Sequence, residues 1–533
     1  MTSTHKIDSL PLTLTEGGLT MHQMDQKSIA AIYHQKTKYY ESEMSQQQSP
    51  LNWSAQPSPF KAYRSEKKID MTPYLPLRNN PFTGEPLEPP SEETGYPFSL
   101  AALARLLYFT NGVTGILQYP SGESLSMRAA PTAGGLYPTE IYVAIRDSSI
   151  LEDGIYNFQA DEHALTPVWE GNFWTEFQKY CFEDEAVAQC NLLIITTAVF
   201  QRSAWRYHER AYRRILLDTG HVLGNLISYA PQEGFVPHPI GSFIDNALNH
   251  LLLLEDSKEA VLSVVALPKT RVDTNAQGPT QRYRYSLENN DDAQVDPLLL
   301  QLHRASSITQ LDESSPLEKT MSVPQSLEEK NTFKETTLLT DDTIDWQKGI
   351  AQTILRRRST RAYTGDAFSK EQFSALLDYA YPDPPLSPTP FFSADVLETY
   401  IVVQNISGLE AGVYYYAPKS RELRLIYAGD FKTQSWHFSL GQDLSRDAAA
   451  LVIHTAHLEN AMLAYGDRAY RYLHLDAGQI GERINLAAIR LNLGVSGIGG
   501  FYDDEVNALL GLPLEQIIVY ITTLGQAHNS RRG

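Results

Sequence analysis

One long segment of this chain is repeated at an offset of 258 residues. Gly154-Ile-Tyr-Asn-Phe corresponds to Gly412-Val-Tyr-Tyr-Tyr, and the same spacing holds without a gap to Leu252 and Leu510. The matches between these ends are Arg210-Ala-Tyr-Arg213 with Arg468-Ala-Tyr-Arg471, Asp218-Thr-Gly220 with Asp476-Ala-Gly478, and Ile240-Gly-Ser-Phe243 with Ile498-Gly-Gly-Phe501. Because solenoid repeats are only about 20–50 residues long, we predict two whole domains that pair as an intramolecular pseudo-dimer.

The bulk composition is that of a globular protein with more than one core. The chain has 533 residues, whereas single cores stop growing at about 250–300 residues. No uninterrupted apolar run approaches the roughly 18 residues needed to span a bilayer, and Met1-Thr-Ser-Thr-His does not begin a secretory signal. Cys181 and Cys190 form neither a disulfide framework nor a metal motif. We therefore predict a cytoplasmic protein without a membrane partner or a metal.

The charge argues against nucleic acid as a partner. A net charge of −19 would repel a phosphate backbone, and most basic residues are scattered along the chain. The main exception is Arg356-Arg-Arg-Ser-Thr-Arg361, which is compact enough to hold one phosphate.

Changes in composition divide the chain into four parts. Residues 1–85 are polar and rich in Pro, Gln and Ser, with aromatic residues spaced along them, which predicts an arm that wraps over a core. Residues 271–343 turn polar and acidic, as expected of a linker. The remaining ranges, 86–270 and 344–533, are the predicted domains.

The two copies differ where chemistry would be expected. The first copy carries Pro131-Thr-Ala-Gly-Gly135, and its counterpart in the second copy lacks both glycines. Only the second copy carries Arg357-Arg-Ser-Thr-Arg361 before its first helix. Arginines at a loop-to-helix junction suit a phosphate, and bare glycine amides allow a flat ligand to approach closely. Together they predict one site at the domain interface, although a solvated helix start and an ordinary turn remain alternatives.

At these residues the chain resembles the nitroreductase superfamily of flavin enzymes. Arg357-Arg-Ser-Thr-Arg-Ala-Tyr363 resembles its flavin-phosphate motif, and Ile498-Gly-Gly-Phe501 resembles its glycine turn beside the flavin ring. Pro131-Thr-Ala-Gly-Gly-Leu-Tyr-Pro138 and Arg468-Ala-Tyr-Arg-Tyr-Leu-His-Leu-Asp-Ala-Gly478 resemble the thiazole/oxazole-forming (azoline) oxidase branch. The resemblance implies an α+β fold of two tandem nitroreductase-like domains, each with a central antiparallel or mixed sheet flanked by helices.

The resemblance also implies where flavin mononucleotide (FMN) would bind. In that family FMN lies at a dimer interface, with its phosphate held by one subunit and part of its ring environment supplied by the other. The corresponding residues here are Arg357, Arg358, Ser359 and Arg361 for the phosphate, Gly499 and Gly500 for the ring, and Pro131, Thr132, Ala133 and Gly134 from the first copy. The mirror-image site lacks both signatures, so we predict one FMN per chain.

A Lys-Tyr pair of the azoline oxidases, thought to help remove the substrate proton, is replaced here. The first copy has Arg206-Tyr207 and the second has Ala464-Tyr465. A guanidinium cannot act as a general base, but it can hold an anion or lower the pKa of Tyr207. Arg206 and Tyr207 are the candidate catalytic residues. The alternative is that both tyrosines only pack the fold.

The function expected from these features is an FMN-dependent oxidoreductase. It would pass two electrons between FMN and a small-molecule or modified-peptide substrate, with a peptide-derived heterocycle as one candidate. Oxygen or a nicotinamide would be the second electron partner. One alternative is an NAD(P)H-dependent reductase of nitroaromatics or quinones, and another is a non-catalytic scaffold without flavin.

Overall fold

The computed structural model describes residues 28–44, 51–63, 67–87, 95–118, 124–270, 297–309, 333, 335–339, 344–382 and 397–528. The remaining parts of the predicted arm and linker lie outside the described residues. Within the described ranges each copy forms a seven-stranded sheet whose neighbouring strands are all antiparallel. This is the α+β architecture that the resemblance implied.

In the first copy the large sheet has the order β1-β6-β5-β4-β7-β9-β8, and β2 and β3 form a separate hairpin. The strands are β1 (Ile69–Asp70), β2 (Val113–Gln118), β3 (Ser124–Arg128), β4 (Thr139–Ile145), β5 (Gly154–Gln159), β6 (Ala164–Glu170), β7 (Leu192–Val199), β8 (His238–Ile240) and β9 (Glu259–Ala266). The helices, including two from the arm, are α1 (Ile29–Lys36), α2 (Glu41–Met44), α3 (Leu100–Asn111), α4 (Trp174–Tyr180), α5 (Glu185–Gln189), α6 (Phe200–Tyr207), α7 (Ala211–Tyr229) and α8 (Asp245–Leu251).

The second copy has the equivalent large sheet in the order β10-β15-β14-β12-β16-β18-β17, and β11 and β13 form a separate parallel pair. Its strands are β10 (Glu335–Leu338), β11 (Phe368–Ser369), β12 (Leu397–Val403), β13 (Ile406–Ser407), β14 (Gly412–Ala417), β15 (Glu422–Ala428), β16 (Ala450–His457), β17 (Gly494–Ile498) and β18 (Gln516–Gly525). Its helices, with α9 in the predicted linker, are α9 (Leu298–Ala305), α10 (Ile350–Arg356), α11 (Lys370–Ala380), α12 (Lys432–Phe438), α13 (Asp443–Asp447), α14 (Leu458–Tyr465), α15 (Arg468–Arg490) and α16 (Asp503–Leu510).

The spacing of 258 residues holds for the elements themselves. Adding 258 to the bounds of β4, β5, β6 and β7 gives the bounds of β12, β14, β15 and β16. The same shift carries α4, α5 and α6 onto α12, α13 and α14. The duplicated sequence therefore folds as two copies of one structure.

Two long helices, α7 and α15, form the centre of the interface between the copies. They cross at equivalent glycines, because a Cβ on Gly220 would lie 2.8 Å from the Cα of Gly478, and one on Gly478 would lie 3.0 Å from the Cα of Gly220. The absence of both side chains lets the two backbones touch. This contact holds the copies together as the predicted pseudo-dimer.

We expect Gly220→Val to lower the free energy of unfolding by about 1–3 kcal/mol, because the new side chain would meet backbone that cannot move aside. Urea unfolding of the variant and the wild type measures this difference. Gly478→Val serves as the symmetry-related check and should show a similar loss. Variants within about 0.5 kcal/mol of the wild type, as for ordinary surface changes, would contradict the close crossing.

The repeated Arg-Ala-Tyr-Arg motif forms two equivalent ion triads across the interface. Arg210 and Arg213 of the first copy bind Asp503 of the second, at 2.8 and 2.6 Å. The symmetric triad joins Arg468 and Arg471 to Asp245, at 2.7 and 2.6 Å. All six side chains are buried, so each copy supplies the charge that the other needs.

The predicted arm and linker contribute one helix each, and the two helices are equivalent. The sequence predicts that the arm is partly helical around Ile29–Tyr40, but the equivalence of this helix to one in the linker was missed. In α1 and just after it, His34 contacts Tyr470 Oη (3.2 Å) and Thr37 Oγ1 accepts from Arg213 (3.0 Å). In α9 and just after it, His303 contacts Tyr212 Oη at 3.0 Å. Ser306 Oγ accepts from Arg471 at 3.0 Å, like Thr37. The spacing here is 269 residues (34 to 303), so a search at 258 does not find it.

Candidate active site between the two copies

The candidate site centres on Tyr207, at the C-terminal end of α6. The guanidinium of Arg214, in the first turn of α7, lies over the Tyr207 ring with Cζ 3.7 Å from the ring centroid. Arg206 Cζ lies 5.7 Å from the same centroid. Two positive charges therefore flank one phenol.

The glycine-rich turn of the first copy contacts this phenol. Gly134 has φ of +69°, and a Cβ there would lie 2.6 Å from Tyr207 Oη and 3.5 Å from Arg206 Nη1. Two hydrogen bonds attach the turn to α7, because Thr132 Oγ1 and the Ala133 amide both donate to the carboxylate of Asp218, at 2.5 and 3.1 Å. The bare backbone at Gly134 thus forms one wall beside Tyr207.

The glycine turn of the second copy contacts Arg214, the arginine that lies over Tyr207. A Cβ on Gly499 would lie 2.8 Å from Arg214 Nη1, and one on Gly500 would lie 4.0 Å from Arg214 Nη2. Gly134 and Gly499 belong to different copies, yet both adjoin the Tyr207–Arg214 pair. The structure therefore brings together the predicted ring-side segments.

The arginine cluster of the second copy also crosses the interface. Arg357 is buried, and its guanidinium donates to the carbonyls of Ala129 (2.8 Å) and Arg128 (3.2 Å), just before Pro131. Arg358 donates to the carbonyl of Thr114 at 3.1 Å. Two of the four predicted phosphate ligands therefore already bind backbone carbonyls of the first copy. Of the other two, Ser359 is half-buried and Arg361 is exposed.

Burial decides the protonation of the phenol. Desolvation raises the pKa of Tyr207, and the charges of Arg214 and Arg206 lower it by less. The arginines thus act in the direction expected from the sequence, but the net shift is upward, so Tyr207 carries its proton at neutral pH. Burial likewise raises the pKa of Asp218 to about 6, against the opposing hydrogen bond from Thr132.

A buried polar network connects α7 with residues of the second copy. His221 contacts Tyr520 Oη through Nε2 (2.9 Å) and Glu482 through Nδ1 (3.1 Å). The Asn225 amide, oriented to satisfy both neighbours, donates to Glu482 (2.9 Å) and accepts from the Ala130 amide (3.2 Å). The network reaches the residue before the Pro131 turn and links it to the second copy.

The mirror-image position is built differently. Tyr472 replaces Arg214, and its ring lies 5.5 Å from that of Tyr465 in an edge contact. Its hydroxyl donates to the carbonyl of Gly241 at 2.8 Å and accepts from Arg468 at 2.8 Å. A satisfied tyrosine therefore stands where the first copy has a guanidinium, and the two clefts are not equivalent.

A family profile and a solved structure both match the two copies of this chain. The family profile described as "Nitroreductase family" matches residues 98–267 and again 354–526. The chain belongs to the nitroreductase family. The solved structure of a provisionally named nitroreductase from Anabaena variabilis is 39% identical, with a TM-score of 0.77, and the match covers 94% of this chain and all of that one.

Two curated relatives match a smaller part of the chain. A provisionally named nitroreductase of Methanocaldococcus jannaschii is 29% identical over 160 residues, which are 30% of this chain and 77% of the relative. The microcin B17-processing protein McbC of Escherichia coli is 24% identical over 143 residues, which are 26% of this chain and 52% of the relative. The match to McbC thus spans about half of that protein's length.

Two other surface features do not include the glycine turns, Tyr207 or Arg214. A groove of about 870 Å³ next to β1 and β6 is lined by residues such as Lys68, Ile150 and Glu152. Among the described residues, metal-type ligand atoms cluster at Glu41, His437 and Glu505, where His437 and Glu505 already form an ion pair at 2.9 Å. Within those same residues no helix is both long and apolar enough to cross a membrane.

The sequence reasoning missed two charged residues of the cleft, Arg214 and Asp218. Asp218 was noticed only as part of a repeated motif. A signal for Arg214 was available, because position 472, its counterpart at the spacing of 258, is tyrosine. Comparing the copies for differences in charge along α7 and α15 would have found it.

Proposed function

We propose that this protein is an FMN-dependent oxidoreductase that passes two electrons between an organic substrate and FMN held in the cleft between the copies. The observation that carries the proposal is the convergence of two bare glycine turns, at Gly134 and Gly499, on the Tyr207–Arg214 pair. Backbone without side chains suits the edge of a planar ring, and a positive charge beside it suits a flavin that gains electrons.

Different residues of the cleft would bind the ring and the phosphate of FMN. Gly134, Gly499 and Gly500 would contact the ring, since none of them carries a side chain that would hold it away. Ser359 and Arg361 would bind the phosphate, while Arg357 and Arg358 hold the backbone around it. When bound, FMN supplies the two-electron chemistry. The chain would position the substrate, and Tyr207, which carries its proton at neutral pH, would donate that proton at Oη.

A second candidate function is the reduction of nitroaromatics or quinones by NAD(P)H. It is favoured by the protonated state of Tyr207 and by Arg206 in place of a lysine, since neither group is a base at neutral pH. Azoline oxidation, which the resemblance to the azoline oxidase branch implies, requires removal of a substrate proton. Rapid anaerobic bleaching of the bound flavin by NADPH would support the reductase, whereas a lack of bleaching would favour an oxidase.

We expect one FMN per chain, because in the sequence only the first copy carries Gly134-Gly135 and only the second carries Arg357-Arg-Ser-Thr-Arg361. The flavin-to-chain ratio of the purified protein measures this directly. A ratio near two would contradict the single-site proposal. Protein without flavin absorbance, even after incubation with FMN, would support the non-catalytic scaffold instead.

Arg361→Ala tests the phosphate end of the cleft. Losing a charge-assisted hydrogen bond should weaken FMN binding by about 10- to 100-fold, measured by fluorescence titration of the apoprotein. Arg356→Ala is the matched control, because this exposed arginine hydrogen-bonds to Asn492 at 3.0 Å. Equal affinities of the two variants would place the phosphate elsewhere.

A further inference from the structure

The arginines of α6 and the start of α7 fall into two groups. Those whose guanidinium is ion-paired with a buried carboxylate are Arg202 with Glu140, at 2.5 Å, and Arg210 and Arg213 with Asp503, at 2.8 and 2.6 Å. Arg206 and Arg214 have no carboxylate oxygen within 4.0 Å in the part of the chain that the structure describes. These are the two that flank Tyr207.

Arg214 is the more unusual of the pair because it is buried. Arg214 is only 8% exposed, and its Nε atom has no hydrogen-bond partner. Its Nη2 makes one long contact, 3.4 Å, to Tyr39 Oη of the arm. The nearby carboxylate of Asp218 is engaged by Thr132 and Ala133. A buried cation with an open donor is costly unless an anion or another acceptor completes it.

Arg206 lies nearer the solvent, among aromatic side chains. Its guanidinium is 6.0 Å from the ring centroid of Trp53, a residue of the arm that is 62% exposed. The Trp53 ring meets that of Trp205 edge to face at 5.5 Å, and the Trp205 indole donates to the carbonyl of Asn52 at 3.1 Å. The mouth of the cleft thus presents an exposed aromatic face next to a positive charge.

The positive charge is specific to this cleft. At the spacing of 258 the counterparts of Arg206 and Arg214 are Ala464 and Tyr472. The charge therefore does not belong to the duplicated scaffold, and in a chain of net charge −19 it stands against the general trend.

We propose that the cleft binds a planar organic anion, whose carboxylate or similar oxyanion is received by Arg206 and Arg214 beside Tyr207, with its flat face against Trp53. This names the substrate class of the proposed oxidoreductase and rests on that function. Forked guanidinium donors match a carboxylate, and an aromatic wall matches a planar body.

Benzoate and benzamide test the proposal, because they share a shape and differ in charge. Each is titrated into the flavin-loaded protein, and binding is followed by the change in the flavin absorbance spectrum. We expect benzoate to bind about 10- to 100-fold more tightly than benzamide, as for a hydrogen bond to a charged group. Arg214→Met should remove the preference, and Arg214→Lys should keep part of it.

Two further variants guard against misfolding and a general charge effect. Arg206→Met changes a half-buried residue and should also reduce the preference for benzoate. Arg446→Met removes one charge from an exposed pair with Asp447 and should leave the preference unchanged. Equal affinities for the two probes in the wild type, or an unchanged preference in both Arg206→Met and Arg214→Met, would overturn the proposal.

The outcomes separate this inference from the proposed function. If the protein holds flavin but does not distinguish the probes, the oxidoreductase proposal stands and the anion site is wrong. If it holds no flavin, calorimetry with the same probes still measures the preference. A preference for benzoate that Arg214→Met abolishes would then support the anion site while the flavin function fails.

Discussion

Asp503→Ala should lower the free energy of unfolding by about 3–5 kcal/mol, the usual effect of removing one partner from a buried ion pair. The substitution leaves Arg210 and Arg213 buried without the carboxylate that both of them bind. Because those arginines belong to the first copy and Asp503 to the second, the substitution should weaken the interface between the two copies. Urea unfolding, with size-exclusion chromatography to detect expansion, measures the effect.

Two other variants serve as a symmetric test and as a control. Asp245→Ala removes the symmetric carboxylate and should cause a comparable loss. Glu505→Ala, on the same helix as Asp503, removes a 40%-exposed partner of His437 and should cost at most about 1 kcal/mol. A loss for Asp503→Ala no larger than that for Glu505→Ala would show that the triads do not hold the copies together.

The triad also predicts how stability depends on pH. Burial alone would raise the pKa of Asp503, but Arg210 and Arg213 outweigh it and hold the pKa below its usual range. Its folded pKa is therefore lower than its unfolded value of about 3.9. The stabilisation is complete above that value and is lost as the pH falls through the folded pKa. The difference between wild type and Asp503→Ala should thus be constant near neutral pH and shrink below about pH 4.

Tyr207→Phe should reduce turnover by about 100-fold or more while leaving flavin content unchanged. The proposed role of the hydroxyl is to transfer a proton, and positioned acid–base groups contribute about 10²–10⁴-fold. Tyr207 Oη lies beside the bare backbone of Gly134, where a substrate atom would approach. Turnover of a reducible substrate and the flavin-to-chain ratio are the measurements.

Tyr465→Phe is the natural control, because it changes the same residue of the duplicated fold in the mirror-image cleft. We expect wild-type turnover from it. Since burial raises the pKa of Tyr207, the wild-type rate should show no loss from Tyr207 ionisation below about pH 10. Equal effects of the two substitutions would mean that both tyrosines only pack the fold.

Much of the architecture could be predicted before any coordinates. The spacing of apolar residues over 212–230 predicts a helix, and the structure has α7, Ala211–Tyr229, there. The continuous apolar run over 192–198 predicts a buried strand, and the structure has β7, Leu192–Val199. These elements follow from local patterns of apolar residues and from a repeat whose spacing never changes over its length. The equivalence of α1 and α9 was not found from the sequence, because their spacing is 269 residues rather than 258 and both helices are short.

The duplication and the two glycine turns were determined by the sequence itself, since repetition and glycine placement are properties of neighbouring residues. The α+β plan was implied by the resemblance to the nitroreductase superfamily. Only the tertiary structure decided which charges stay unpaired. It gave Arg210 and Arg213 a carboxylate from the other copy and left Arg214, the next residue, with an open donor against Tyr207. The physical reason is that ion pairing and desolvation depend on residues hundreds of positions apart along the chain, which meet only once the two copies have packed.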